Sequence, residues 1–229
     1  MTFGVMGARS LVRLYNARSY VQDGLIAMWD GEENAGWGVH DANATVWKDL
    51  VGTLDLSIYH GTPVINNNNV YLLDSSLKSA ASVPLSSADG GTVEVVNRTV
   101  AFHGYYNNRW DAIFSLDLGG TPQFTTNGWG YRNRAYPTGL SPDVSTRISD
   151  GGIYTDSFAN GKIYSNAVLR QTRDWKVSPN MVYVGFTQSN GVSYSGDTEF
   201  YSIRMYSRTL TDAEIAHNCA VDKVRFGVR

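Results

Sequence analysis

The sequence has almost none of the residues that cross-link a chain. Cys219 is the single cysteine among 229 residues, so an internal disulfide is excluded. No CxxC or Cys/His spacing of the kind that binds zinc occurs. We expect Cys219 to be a small buried apolar side chain. Long apolar runs are also absent, and none approaches the length of a membrane-spanning helix, so no membrane insertion is predicted.

Neither sign of charge is in large excess. The chain has 19 Lys and Arg residues against 21 Asp and Glu residues, a net charge of −2, and the two signs are interspersed. A protein that binds a phosphate backbone needs basic residues concentrated on one surface. No nucleic-acid partner is therefore predicted.

The first 22 residues lack the continuous apolar stretch of a secretory signal peptide. Their helix-like spacing is too short for a stable isolated helix, and the stretch is interrupted by Arg9, Arg13 and Arg18. We expect residues 1–22 to form an N-terminal arm that docks onto other subunits. Residues 23–229 are predicted to form one domain, and a homo-oligomer is left open.

What is present favours strands. The chain is 42% hydrophobic with 14 Tyr and 6 Trp, and aromatic and β-branched residues prefer strands. From Gly24 onward, short apolar segments alternate with Gly, Asn, Asp and Pro. Six strands are predicted, over residues 25–29, 92–96, 99–103, 112–118, 181–187 and 199–206.

Two local signals are more specific. Asn160-Gly161 between residues 153–158 and 162–164 predicts a β-hairpin, because both turn positions accept positive φ. Thr211 followed by Glu214 predicts a capped helix near the C-terminus. In the last strand, alternation predicts one face with Tyr201, Ile203 and Met205 and another with Phe200, Ser202, Arg204 and Tyr206. The loop over residues 30–48, with Trp37 and Trp47, is interpreted as structural.

The segment over residues 200–218 resembles the closing motif of laminin-G-like, concanavalin A-like lectin and glucanase domains, most closely over residues 203–210. Residues 24–29 are similar to the opening strand of that superfamily, and residues 157–163 to one of its hairpins. The resemblance implies an all-β fold, an antiparallel two-sheet jelly-roll sandwich with one short C-terminal helix. Residues 23–31, 36–41 and 220–226 resemble a subgroup from phages and prophages of gut bacteria.

Two aromatic segments have the composition of a sugar-binding site. Residues 105–111 and 127–134 place Tyr and Trp beside Asn, Arg and Asp, and such a mixture suits the apolar face and the hydroxyls of a sugar. The alternative is that both tryptophans pack in the core or at its rim. The predicted ligand-binding residues are Tyr105, Tyr106, Asn107, Arg109, Trp110, Trp129, Tyr131 and Arg132.

Catalysis is not predicted. Hydrolases of this superfamily carry an ExDxxE strand, which the chain lacks. Asp197 and Glu199 form the nearest pair, roughly 6.5 to 7 Å apart along one strand face, a spacing that does not forbid glycosidase chemistry. The third carboxylate is missing, and no G-x-S-x-G motif accompanies a histidine. His217 is expected at the surface. We expect no enzyme and no catalytic residues.

No metal ligand or cofactor is predicted either. Calcium is common in laminin-G-like relatives, and Asp30, Glu32 and Glu33 form the densest acidic group. However, no Asp-x-Asp-x-Asp-Gly loop occurs, so this group is interpreted as a solvated face.

These observations favour a carbohydrate-recognition or adhesion module, a lectin-like part of a phage virion in a head, tail fibre or decoration protein. Its expected partners are a cell-surface or mucosal glycan and, through residues 1–22, other virion subunits. The expected location is the virion or the extracellular space. The alternatives are a purely structural virion assembly subunit and a polysaccharide hydrolase that uses Asp197 and Glu199.

Overall fold

The computed structural model describes residues 15–73, 75–84, 90–101, 114–118, 121–125, 150–172, 181–185, 187–189, 192–194 and 197–229. These residues form two antiparallel sheets, a small extra hairpin and a C-terminal helix. The predicted all-β sandwich with one C-terminal helix is therefore confirmed. Within the described ranges, no helix has the length and apolarity needed to cross a membrane.

The elements follow one another in chain order after a short 3-10 helix, Ala17–Ser19. The strands are β1 (Leu25–Asp30), β2 (Val46–Trp47), β3 (Leu56–His60), β4 (Val64–Ile65), β5 (Val70–Leu72), β6 (Ser76–Ser82), β7 (Thr92–Ala101), β8 (Phe114–Leu118), β9 (Thr121–Thr125), β10 (Tyr154–Ala159), β11 (Lys162–Ser165), β12 (Val168–Thr172), β13 (Met181–Val184), β14 (Thr187–Ser189), β15 (Val192–Tyr194) and β16 (Asp197–Tyr206). The helix α1 spans Asp212–Phe226.

The first sheet has the order β12-β11-β10-β7-β16-β5-β4. On the same edge of β16, β5 pairs with its first half and β1 with its second half. The second sheet has the order β2-β3-β6-β13-β8-β9, and β14 pairs with β15 separately. The long strands β7 and β16 pair at the centre of the first sheet. The predicted strand over residues 92–96 and the described part of the one over residues 99–103 belong to one strand, β7, because its pairing with β16 continues through Asn97 and Arg98.

The main core lies between the two sheets. It is built from side chains that alternate inward along the strands, as expected for a sandwich. Trp29 and Trp47 donate their indole N–H groups to the carbonyl oxygens of Leu54 and Asp30, so these large buried rings carry no unpaired donor. The core comprises Ala27, Trp29, Trp47, Leu54, Leu56, Val70, Leu72, Leu77, Val83, Val93, Val95, Phe158, Ile163, Val182, Val184, Phe200, Ile203 and Met205.

The predicted alternation along β16 is wrong at its middle. The register with β7 shifts between Phe200 and Ser202, as a β-bulge does. Phe200 therefore points into the same core as Ile203, while Tyr201 packs with Cys219 and Phe226 of α1. Both faces of β16 are buried, one by the second sheet and one by the helix.

The two local signals are confirmed. Asn160 and Gly161 have φ values of 43° and 81° in the turn between β10 and β11. Thr211 accepts a hydrogen bond from the backbone N–H of Glu214, whose carboxylate accepts one from the Thr211 N–H. At the other end of α1, Gly227 has the left-handed φ of 75° that ends the helix.

The outer face of the first sheet is covered by α1 and by residues 15–22. Ala17 and Tyr20 are buried in the same cluster as Ile215 and Val221 of the helix, and the His217 side chain, exposed as predicted, contacts the Ser19 carbonyl oxygen. The described part of the predicted arm thus packs on the sandwich. The docking role of residues 1–22 stays a prediction.

Candidate functional site

All eight predicted ligand-binding residues lie outside the described residues. Two of the strands next to them in the chain, β8 and β9, are described, and Ser115 of β8 pairs directly with Thr125 of β9. Residues 102–113 and 126–149, which contain the eight predicted residues, lie outside the described ranges. Their role in ligand binding stays a prediction.

A row of paired residues on neighbouring strands runs from Ser115 across the second sheet. Ser115 pairs with Tyr183, Tyr183 pairs with Lys78, and Lys78 pairs with Ser57. Val182 and Val184, on either side of Tyr183, point into the core. Because side chains alternate along a strand, Tyr183 and Lys78 lie on the outer face of the sheet.

Tyr59 of β3 joins this row, so three side chains form what we call the tyrosine–lysine cluster: Tyr59, Lys78 and Tyr183. The Tyr59 and Tyr183 rings meet edge to face, with centroids 5.6 Å apart and planes at 83°. The Lys78 ammonium lies 5.3 Å from the Tyr59 centroid and 5.2 Å from the Tyr183 centroid. Tyr59 is 45% exposed, Lys78 is half-buried and Tyr183 lies beneath them.

Several exposed residues around the cluster are small. Ser57, Ala80 and Ser82 are exposed, and the half-buried Met181 accepts a contact of 3.6 Å from the Ser82 hydroxyl. An exposed ring offers its face to the C–H groups of a sugar, and an ammonium offers three N–H donors. The cluster can therefore hold a small polar ligand without any rearrangement of the strands.

Sequence reasoning missed this cluster. Its members come from three strands that are far apart in the chain, and nothing local links them. A signal exists in retrospect, because Tyr59 and Tyr183 fall at polar-face positions of short alternating strands, where a large aromatic side chain has no core to fill.

One of the acidic residues predicted to form a solvated face, Asp30, is instead buried. Asp30 is fully buried and accepts two hydrogen bonds of 2.7 and 2.9 Å from the Arg225 guanidinium, which also bonds Glu32. The prediction is wrong for Asp30, because α1 brings Arg225 over the end of β1. Within the described ranges, no group of three or more His, Cys, Asp or Glu residues could hold a metal ion.

Asp30 belongs to a network of buried charges under α1. The fully buried Arg204 donates to Glu94 at 2.9 Å and to both carboxylate oxygens of Asp222 at 2.8 Å. Tyr20 lies between the two arginines: its hydroxyl donates to Asp222 at 2.7 Å and accepts from Arg225 at 3.1 Å. We call these residues the buried ion network.

Burial shapes the titration of this network. It raises the pKa of Glu94 and of Asp30, against the opposing effect of the arginine beside each. Burial, followed by the Asp222 charge, raises the pKa of Tyr20 well above its usual value. None of these groups is accessible to a ligand, so the network holds the helix to the sheet and is not a binding site.

The carboxylate pair considered for hydrolysis is built into the first sheet. Glu199 accepts a hydrogen bond of 2.6 Å from Arg98 and another of 2.6 Å from the Tyr201 hydroxyl. Asp197 is buried at the start of β16. In this geometry the Glu199 carboxylate is neutralised by Arg98, an arrangement typical of a structural ion pair.

No protein-family model matches the chain, and no curated protein matches it in sequence. Solved structures match it in fold. A structure of Trypanosoma rangeli sialidase with 2,3-difluorosialic acid has a TM-score of 0.58 and 13% identity over 89% of this chain and 34% of the sialidase. The receptor-binding domain of botulinum neurotoxin C/D mosaic serotype has a TM-score of 0.59 and 12% identity over 87% of this chain and 52% of that domain.

The binding domain of botulinum neurotoxin serotype D is similar at the same level, with a TM-score of 0.56 and 12% identity over 86% of this chain and 52% of that one. The chain thus spans between a third and about half of the structures it matches. The expectation that the chain is not an enzyme is contradicted, because solved structures with its fold include sialidases. At these identities the likeness establishes a β-sandwich fold shared by enzymes and by receptor-binding domains.

Proposed function

We propose that this domain is a carbohydrate-binding module whose contact surface is the outer face of the second sheet. The observation that carries the proposal is the tyrosine–lysine cluster, in which the 45% exposed Tyr59 stands edge to face with Tyr183 beside the Lys78 ammonium. Two of the similar structures are named as binding domains, one of them as a receptor-binding domain, which supports a binding role.

A glycan array tests the contact surface directly. We expect the wild-type protein to bind a subset of the glycans and Tyr59→Ala to lose about tenfold in affinity, about 1.4 kcal/mol, because the exposed ring supplies the apolar contact for the sugar. Tyr15→Ala is the matched control, since Tyr15 is 39% exposed and lies outside the sheets. Absence of any glycan signal for the wild type, or unchanged binding by Tyr59→Ala, would overturn the proposal.

The double variant Trp110→Ala, Trp129→Ala tests the predicted segments. Loss of binding in this variant together with loss in Tyr59→Ala supports one continuous surface. Loss in the double variant with unchanged binding by Tyr59→Ala would place the ligand away from the sheet face and contradict the proposed contact surface.

We also propose, from the resemblance of residues 23–31, 36–41 and 220–226 to phage and prophage proteins, that the module is carried on a virion. Co-sedimentation with particles is the expected result, and a chain found only as a free monomer would refute it. Deleting residues 1–14 is the appropriate test of an N-terminal docking role. A deletion that reached Tyr20 would also remove a member of the buried ion network.

A further inference from the structure

Lys78 differs from the other lysines of the described sheets. Lys48 pairs with Asp55, and Lys162 pairs with Asp212 at 3.4 Å. Among the described residues, the partners of the Lys78 ammonium are the two tyrosine rings, and no described carboxylate lies within ion-pair distance of it. The half-buried amine on the candidate surface is therefore the one that lacks a counter-charge.

The two rings fix the position of this amine without using its hydrogen bonds. An aromatic face attracts a cation within about 6 Å of its centroid, but it accepts no strong hydrogen bond. The Lys78 ammonium, which carries three N–H donors, therefore keeps hydrogen-bonding capacity next to the half-exposed ring of Tyr59.

The charge of a ligand that covers Lys78 determines whether binding there is favourable. A neutral sugar would shield the ammonium from water without compensating its charge, which is unfavourable. An anionic group would replace the lost hydration by a charge-assisted hydrogen bond, which is stronger than one between neutral groups. The exposed Tyr59 ring, one of the two that orient the amine, can pack against the C–H face of the sugar that bears the anion.

We infer that Lys78 makes the outer face of the second sheet selective for an anionic saccharide, with a carboxylate or a sulfate ester bound to its ammonium. The inference rests on the proposed carbohydrate binding and adds the ligand class. Tyr59 supplies stacking for any sugar, whereas Lys78 supplies the preference for negative charge.

The test uses oligosaccharides of uronic and nonulosonic acids, each beside its carboxyl methyl ester, and one neutral oligosaccharide with and without sulfation. Calorimetry on the full chain should show binding of the acid about tenfold tighter than of its ester. Lys78→Met keeps the apolar stem and should abolish that preference, while Lys78→Arg should retain it. The sulfated sugar distinguishes a general anion site from one specific for carboxylates.

The outcomes separate the two proposals. Equal affinity of the wild type for acids and esters would overturn the anion inference and leave carbohydrate binding intact. Retention of the preference by Lys78→Met would also overturn it. Failure of every glycan, neutral or acidic, would overturn the proposed function itself. Thermal melting of Lys78→Met by circular dichroism establishes that any loss comes from the site.

Discussion

The two sheets of the sandwich have outer faces of opposite character. The first sheet is covered by α1 and residues 15–22, and beneath them Arg204 and Arg225 are each paired with carboxylates. On the second sheet, Tyr59 is exposed and Lys78 has no carboxylate partner among the described residues. Both faces place a cation against a tyrosine ring, yet among the described residues only the first sheet supplies a counter-charge.

We assign a structural role to the paired arginines of the first sheet and propose a ligand-binding role for Lys78. A buried charge without a partner would be too costly to keep, so the first sheet must pair its arginines. A half-buried charge remains partly hydrated, so it does not require an ion-pair partner. Substitutions that remove a cation from each face should therefore have different consequences.

The largest effect is expected for Arg204→Met. It would leave Glu94 and Asp222 buried without their cation, and breaking such a pair costs about 3 to 5 kcal/mol. Urea denaturation should show the free energy of unfolding reduced by this amount. Lys48→Met is the control, because its pair with Asp55 is solvent-exposed and worth about 0 to 1 kcal/mol. Equal stability of the two variants would refute the role assigned to the network.

Tyr20→Phe should have the next largest effect. The change removes the hydroxyl that donates to Asp222 and accepts from Arg225 but keeps the ring, over which the Arg204 guanidinium lies at 3.9 Å. Loss of a buried hydrogen bond costs about 1 to 3 kcal/mol. The same denaturation experiment measures it, with Tyr15→Phe as the exposed control. If the two variants were equally stable, Tyr20 would not belong to the network.

Lys78→Met makes the same kind of change on the open face. We expect the free energy of unfolding to stay within about 0.5 kcal/mol of the wild-type value, because no buried carboxylate loses its partner. Loss of stability close to that of Arg204→Met would show that Lys78 is structural and would remove the contrast between the faces.

The smallest effect concerns the cap of α1. Hydrogen bonds from Arg208, then from Thr211, lower the pKa of Glu214 from 4.5 to about 2. A depressed pKa in the folded state contributes stability that is present above pH 4.5 and is lost as the pH falls towards about 2. The melting temperature of the wild type should fall more over this range than that of Glu214→Gln. If the melting temperatures of the wild type and Glu214→Gln fell equally with pH, this role of the cap would be contradicted.

The described elements differ in how far the sequence predicted them. The hairpin at Asn160-Gly161 and the cap at Thr211 follow from backbone preferences within a few residues, and both were predicted. The face reversal after Phe200 was not, because a bulge in β16 depends on its register against β7. The burial of Asp30 was missed for a similar reason, since its partner Arg225 lies at the far end of the chain.

The sequence by itself determined the class of fold, the hairpin, the capped helix and the burial of Cys219, because each depends on local chemistry or on alternation along one strand. Only the tertiary structure decided which charges have a described partner, as Arg204 does, and which, like Lys78, have no described carboxylate beside them. Tyr59, Lys78 and Tyr183 meet because β3, β6 and β13 are neighbours in the second sheet, and strand order is a property of the whole chain.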